Sequence, residues 1–111
     1  MKILVNTSLD KKDIAKATTT NESLKDHAGK QVTIQNIIAY QKDNEDGTVT
    51  KIYAVDTAEA GWLMTNSPTV KDVLDVILES YEAEEIRAGI PIIIKSGKSA
   101  KNREFFFLEI V

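Results

Sequence analysis

Between Ser67 and Arg87 the chain reads SPTVKDVLDVILESYEAEEIR, and a helix is the structure that uses this spacing. Val70, Val73, Leu74, Ile77, Leu78 and Tyr81 recur at three- and four-residue intervals, which puts them on one face of a 3.6-residue period. A stripe of that kind has to be buried, so the flanking segments must build an apolar surface for it. Ser67 can cap the helix with Pro68 at its first position, or Thr69 can do so with Asp72 three residues later, and Gly89 lies just past the end. The opposite face carries Asp72, Asp75, Glu79, Glu82, Glu84 and Glu85 against Lys71 and Arg87. It repels polyanions, so an anionic ligand has to bind elsewhere.

With 111 residues the chain is expected to form one domain, 1–111, around a single core. No apolar run approaches the ~20 residues of a membrane span. MKILVNT leads into charged residues and not into a cleavage site, so a cytoplasmic protein without membrane contact is expected. Cysteine is absent, which removes disulfides, thiol catalysis and cysteine-based metal sites together.

A net charge of −3 argues at first sight against a nucleic-acid partner. Six of the 17 acidic and two of the 14 basic residues lie in Lys71–Arg87, however, leaving 11 and 12 elsewhere. The acid excess therefore belongs to the helix. In Ser96–Arg103, SGKSAKNR, Lys98, Lys101 and Arg103 follow Lys95 without any acid among them.

Residues 1–29 read as a poorly defined N-terminal extension and 30–111 as the folded body. ILV at 3–5 suits a short edge strand, and Asp10–Ala17 suits two helical turns. SLKD and Gly29 suggest one turn of helix across Glu22–Gly29, on which His27 has no ligand-spaced partner and takes the role of a surface histidine. Lys30–Gln41 alternates and then slips at Asn36–Ile38, the mark of a long strand with a bulge. Asp43–Gly47 is turn chemistry, with spacing wrong for a calcium loop.

Thr48–Asp56 is the second strand, with Ile52 and Ala54 on one face and Lys51, Tyr53 and Val55 on the other. Trp62–Thr65 is a short third strand, Ile90–Lys95 a buried fourth, and Glu104–Val111 the fifth. In the fifth, Phe106, Leu108 and Ile110 read as core, which turns Phe105 and Phe107 outward beside the basic loop.

Three strands, one helix and two strands suit a mainly β protein with α+β content: a five-stranded oligonucleotide/oligosaccharide-binding (OB) barrel whose helix lies between strands three and four. An α+β roll or open sheet with a helix on one face has the same elements and stays open as the second arrangement.

Catalysis finds no constellation here. No histidine pairs with serine or acid, and Gly97-Lys98-Ser99 lacks the upstream glycine and following helix of a phosphate loop. No enzyme activity, cofactor or metal is expected. Single-strand binding fits better, because such barrels grip nucleic acid through a sheet face and the loop between strands four and five. The candidate contacts are Tyr40, Lys42, Lys51, Tyr53, Trp62, Lys95, Lys98, Lys101, Arg103, Phe105 and Phe107. For Tyr40 and Trp62 ordinary packing is an equal reading, and packing of Phe105 and Phe107 would need the N-terminal segment to cover them.

The segments NIIAYQ, TVTKIYAVD, VKDVLDVILESY and IPIIIKSGKSAKNREFFFLEIV resemble, in the same order, single-stranded DNA-binding proteins of small podophages that replicate by protein priming. The resemblance covers about Gln31 to Val111, and the first thirty residues match poorly. It implies an OB barrel that coats strands exposed during bacteriophage DNA replication, with replication proteins as further partners. It also implies that Tyr40, Tyr53, Lys98–Lys101 and Phe105–Phe107 form the binding surface. Recruitment through a flexible acidic tail is not expected, since the chain ends within its last strand. Two alternatives stand beside this reading: a protein-interaction module that uses the outer aromatics as an apolar patch, and a small hydrolase. RNA stays open as the ligand.

Overall fold

A computed structural model that describes residues 1–111 has six strands and three α-helices. The order is β1 (Lys2–Asn6), α1 (Lys11–Thr19), β2 (Gln31–Asp43), β3 (Val49–Thr57), β4 (Gly61–Thr65), α2 (Pro68–Ser80), α3 (Ala83–Ala88), β5 (Ile90–Lys98) and β6 (Glu104–Ile110). One 3₁₀ turn, Leu24–His27, precedes β2. No helix is long and apolar enough to cross a membrane.

All strand pairings are antiparallel, in the order β4-β3-β2-β5-β6. The 13-residue β2 organises the sheet. One of its edges pairs with β3, while the other pairs first with β5 over Gln31–Ile34 and then with β1 over Ile38–Gln41. Between those two partners the register against β3 shifts, between Ile34 and Asn36, so the expected bulge exists but lies two residues upstream of the expected slip. Thr7 satisfies the polar groups this exposes: its Oγ1 accepts from the Ile37 N–H at 2.9 Å and donates to Asn36 Oδ1 at 3.2 Å. Arg87 Nη1 donates to the Thr7 carbonyl oxygen at 2.5 Å, fastening α3 to the same point.

The main core lies on the inner face of the sheet, under α2 and α3. Ile34, Ile37, Ala39, Tyr53, Val55, Leu63, Ile92 and Ile94 meet Val70, Leu74, Ile77 and Ile86 there. Each large aliphatic so enclosed contributes about 1.5–3 kcal/mol. The 21-residue helix expected over Ser67–Arg87 is divided in two. Tyr81 is extended (φ −117°, ψ 141°), and Glu82 opens α3 through a capping box with Glu85, whose side chain accepts from the Glu82 N–H at 3.0 Å. This acid pair lay in the sequence as part of a charged face. It competes with helix continuation, and turning the chain lets Ile86 reach the core. Ser67 caps α2 without a side-chain hydrogen bond, and the Thr69 hydroxyl bonds to the Phe106 carbonyl oxygen instead.

The N-terminal extension is ordered structure. Asp10 caps α1 by accepting from the Lys12 N–H at 2.9 Å. On the outer face of the sheet, Ile14 and Ala17 of α1 close over Ile38 and Ala54 with Ile3 and Trp62, making a second, smaller core. Strand β3 is consequently buried on both faces from Ile52 to Val55. Ile110, expected in the core, is 40 % exposed because the cover over β6 ends before its last residues.

Candidate nucleic-acid interface

The β5–β6 hairpin holds the outward aromatics. Its register sets Gly97 opposite Phe105, Lys95 opposite Phe107 and Ile93 opposite Glu109, all on the outer face. Phe105 and Phe107 stack, with ring centroids 5.8 Å apart and planes inclined by 30°. Phe105 lies across Gly97 so closely that a Cβ there would meet the ring at 2.9 Å. Glycine at this position is what lets the ring lie flat on the hairpin. Phe105 is 38 % exposed and Phe107 half-buried, and α1 packs on β3 and β4 instead of on this hairpin. The aromatic pair is therefore uncovered.

The loop after β5 is tight. The Ser99 N–H bonds to the Arg103 carbonyl oxygen at 2.9 Å, the Asn102 N–H to the Ser99 carbonyl oxygen at 2.8 Å, and Asn102 takes the left-handed conformation at φ 61°. Asparagine tolerates that region better than most residues. Lys98, Lys101 and Arg103 project from this frame, exposed and without an ion-pair partner. Lys95 differs: it is half-buried and paired with Glu109 across the strands.

The remaining candidates do not join this surface. Tyr53 points inward, 1 % exposed, and its hydroxyl donates to Asp75 of α2. Burial and that bond both push its pKa up. It shares a face with Val55, as expected, but that face is the inner one, because β3 is needed to floor the pocket for α2. Lys51 lies with its ammonium 4.9 Å from the centre of the Tyr53 ring, while the Lys71 ammonium holds the Lys51 carbonyl oxygen at 3.3 Å. Tyr40 does face outward, but it is 5 % exposed between its cross-strand neighbours Ile3 and Ile52, and burial raises its pKa. Trp62 is half-buried under α1, with its carbonyl oxygen accepting from Thr20 Oγ1 at 2.9 Å. Lys42 is exposed near the β2–β3 turn, two strands away from β6 in the sheet order.

Two participants were missed in the sequence, Gly97 and Glu109. Counting register back from the five-residue turn would have found both, since Gly97 then falls opposite an aromatic and Glu109 diagonal to Lys95. No three His, Asp or Glu side chains converge anywhere on the chain. Comparison with known family models, characterised proteins and solved structures gives no match.

Proposed function

We propose that this chain is a non-enzymatic, sequence-tolerant single-stranded DNA-binding protein on an OB-type barrel left open between β4 and β6. The strand order β4-β3-β2-β5-β6, with a helix between β4 and β5 in the chain, supports that architecture. Strand β1 and helix α1 are then additions to it. The observation that carries the function is the uncovered Phe105–Phe107 stack on the hairpin that holds three unpaired cations, Lys98 at the end of β5 and Lys101 and Arg103 in the turn.

Bases stack on the two rings, each contact worth about 1–3 kcal/mol and indifferent to base identity. Lys98, Lys101 and Arg103 neutralise phosphates, so affinity falls with salt, the slope of log K against log salt being about −0.7 per phosphate on a single strand. The acidic face of α2 and α3 lies on the inner side and keeps the backbone off that surface. The podophage resemblance supplies the setting, strands exposed during replication.

Trp62 sits under α1, so its emission is a poor reporter, and the test uses fluorescein-labelled oligo-dT. Anisotropy should rise to saturation with the full chain, weaken with salt, and resist competition by duplex. A flat titration at low salt would overturn the proposal. It would favour a protein-interaction module, for which the 64 % exposed Val111 beyond Glu109 extends the apolar strip.

A further inference from the structure

Two helix faces point away from the fold, and nothing covers either. On α1, Lys12, Ala15, Lys16 and Thr19 recur at helical spacing and form the stripe opposite Ile14 and Ala17, which pack on the sheet. On α2, Asp72, Val76 and Glu79 form the stripe opposite the buried Val70, Leu74 and Ile77. Every residue of both stripes is exposed, and none of the charged ones has an ion-pair partner. The charges of opposite sign on the same helices are engaged elsewhere. Asp10 caps α1, Asp13 accepts from the Ser8 hydroxyl, and the Lys71 ammonium holds the Lys51 carbonyl oxygen at 3.3 Å. One stripe is therefore cationic and the other anionic. The middle of each is free of charge, with Ala15 between the lysines and Val76, 52 % exposed, between the acids.

We propose that the α1 stripe of one copy of this chain docks on the α2 stripe of the next, Val76 against Ala15, with Lys12 and Lys16 reaching Asp72 and Glu79. Charge complementarity selects the occupant. The acidic stripe repels nucleic acid, and the surface that matches it, cationic with a small residue at its centre, is carried by the same chain. Helix α1 lies on the outer face of the sheet and α2 on the inner face, so the two stripes of one molecule point away from each other. They cannot both meet the same partner. The contact is heterologous, each end copy keeps one stripe free, and copies add in a row. This docking stands without the single-strand reading, and its use rests on that reading. A helix about 10 Å across holds the next copy off the bare β5–β6 hairpin. The slot so left above Phe105 and Phe107 takes one strand, which a row of copies coats cooperatively.

The test is sedimentation equilibrium of the full chain. At low salt the average mass should rise with concentration past that of a dimer, and it should fall back toward a single chain as salt rises. Lys12→Glu with Lys16→Gln, and separately Asp72→Lys with Glu79→Lys, should each sediment as single chains. Lys16 is neutralised and not reversed because it lies beside Asp56 of β3. An equimolar mixture of the two variants should associate again, since each carries the complement of the other, and that recovery also shows that both fold. Parent chains that stay single at low salt or stop at a dimer, variants that associate like the parent, and a mixture that stays single each overturn the docking. Anisotropy with labelled oligo-dT too short for two copies keeps the two readings apart. Weaker binding by the α1 variant, with no self-association in the parent, gives Lys12 and Lys16 to the nucleic acid and leaves the single-strand reading standing. Self-association with a flat oligo-dT titration overturns the single-strand reading and leaves the docking.

Discussion

The outer face of the sheet has two halves that look alike in sequence and behave differently in the structure. On β2–β3–β4 the outward residues Ile38, Ala54 and Trp62 lie beneath α1 and form a small core. On β5–β6 the outward residues Ile93, Phe105 and Phe107 have no helix above them. Both halves alternate, and both are apolar outward. What separates them is α1, which ends at Thr19, well before Ile38 and far before Ile93 in the chain, so a strand's own pattern states that a face is apolar and leaves open what covers it. An apolar face with a cover is stability; the same face without one is a surface available for stacking.

The largest effect belongs to the covered half. Ile38 is fully buried under α1, so Ile38→Ala should destabilise the protein by about 2–5 kcal/mol in urea unfolding. The native variant should bind labelled oligo-dT like the parent. A loss below about 1 kcal/mol would mean that α1 does not hold this face in solution, and the two halves would then be equivalent. The bare half should reverse the pattern. Phe105→Ala with Phe107→Ala should weaken binding on the order of a hundredfold, from about 1–3 kcal/mol per base, while the unfolding free energy in urea changes by no more than about 1 kcal/mol, as at other surface positions. Unfolding of the double variant would place the two rings in the core and end the comparison.

The same contrast explains what could be read in the sequence. The five main strands, the turn at Asp43–Gly47 and the helical stripe were legible because period and turn chemistry are local. Phe105 and Phe107 were legible because parity inside one strand fixes their side, and the basic loop because charge needs no fold to be seen. Tyr53 was misread for the opposite reason. Parity put it with Val55, but which side of β3 is inside depends on where α2 docks, and Asp75 is 22 residues away. Tyr40 and Trp62 were buried by Ile3 and α1, which belong to the stretch least legible as local pattern. The break at Tyr81–Glu82 was hidden because a capping box inside a charged helical face looks the same as the face itself.

The smallest effect sharpens the bare half further. Lys95 is the one cation among Lys95, Lys98, Lys101 and Arg103 with an ion-pair partner, since Glu109 pairs with it beside Phe107, with side chains 43 % and 51 % exposed. An exposed pair of this kind stabilises the fold by about 0–1 kcal/mol, so Glu109→Gln should leave stability within that range. A phosphate passing over Phe107, however, has to displace the carboxylate to reach Lys95 and is repelled by it on the way. Removing the charge should therefore tighten oligo-dT binding a few-fold at low salt and steepen the salt slope by about 0.7, the mark of one more phosphate neutralised. The advantage should vanish as salt rises. Weaker binding at every salt concentration would give Glu109 the opposite role, holding the Lys95 stem in place beside Phe107, and the ion pair would then belong to the platform on which the bases stack.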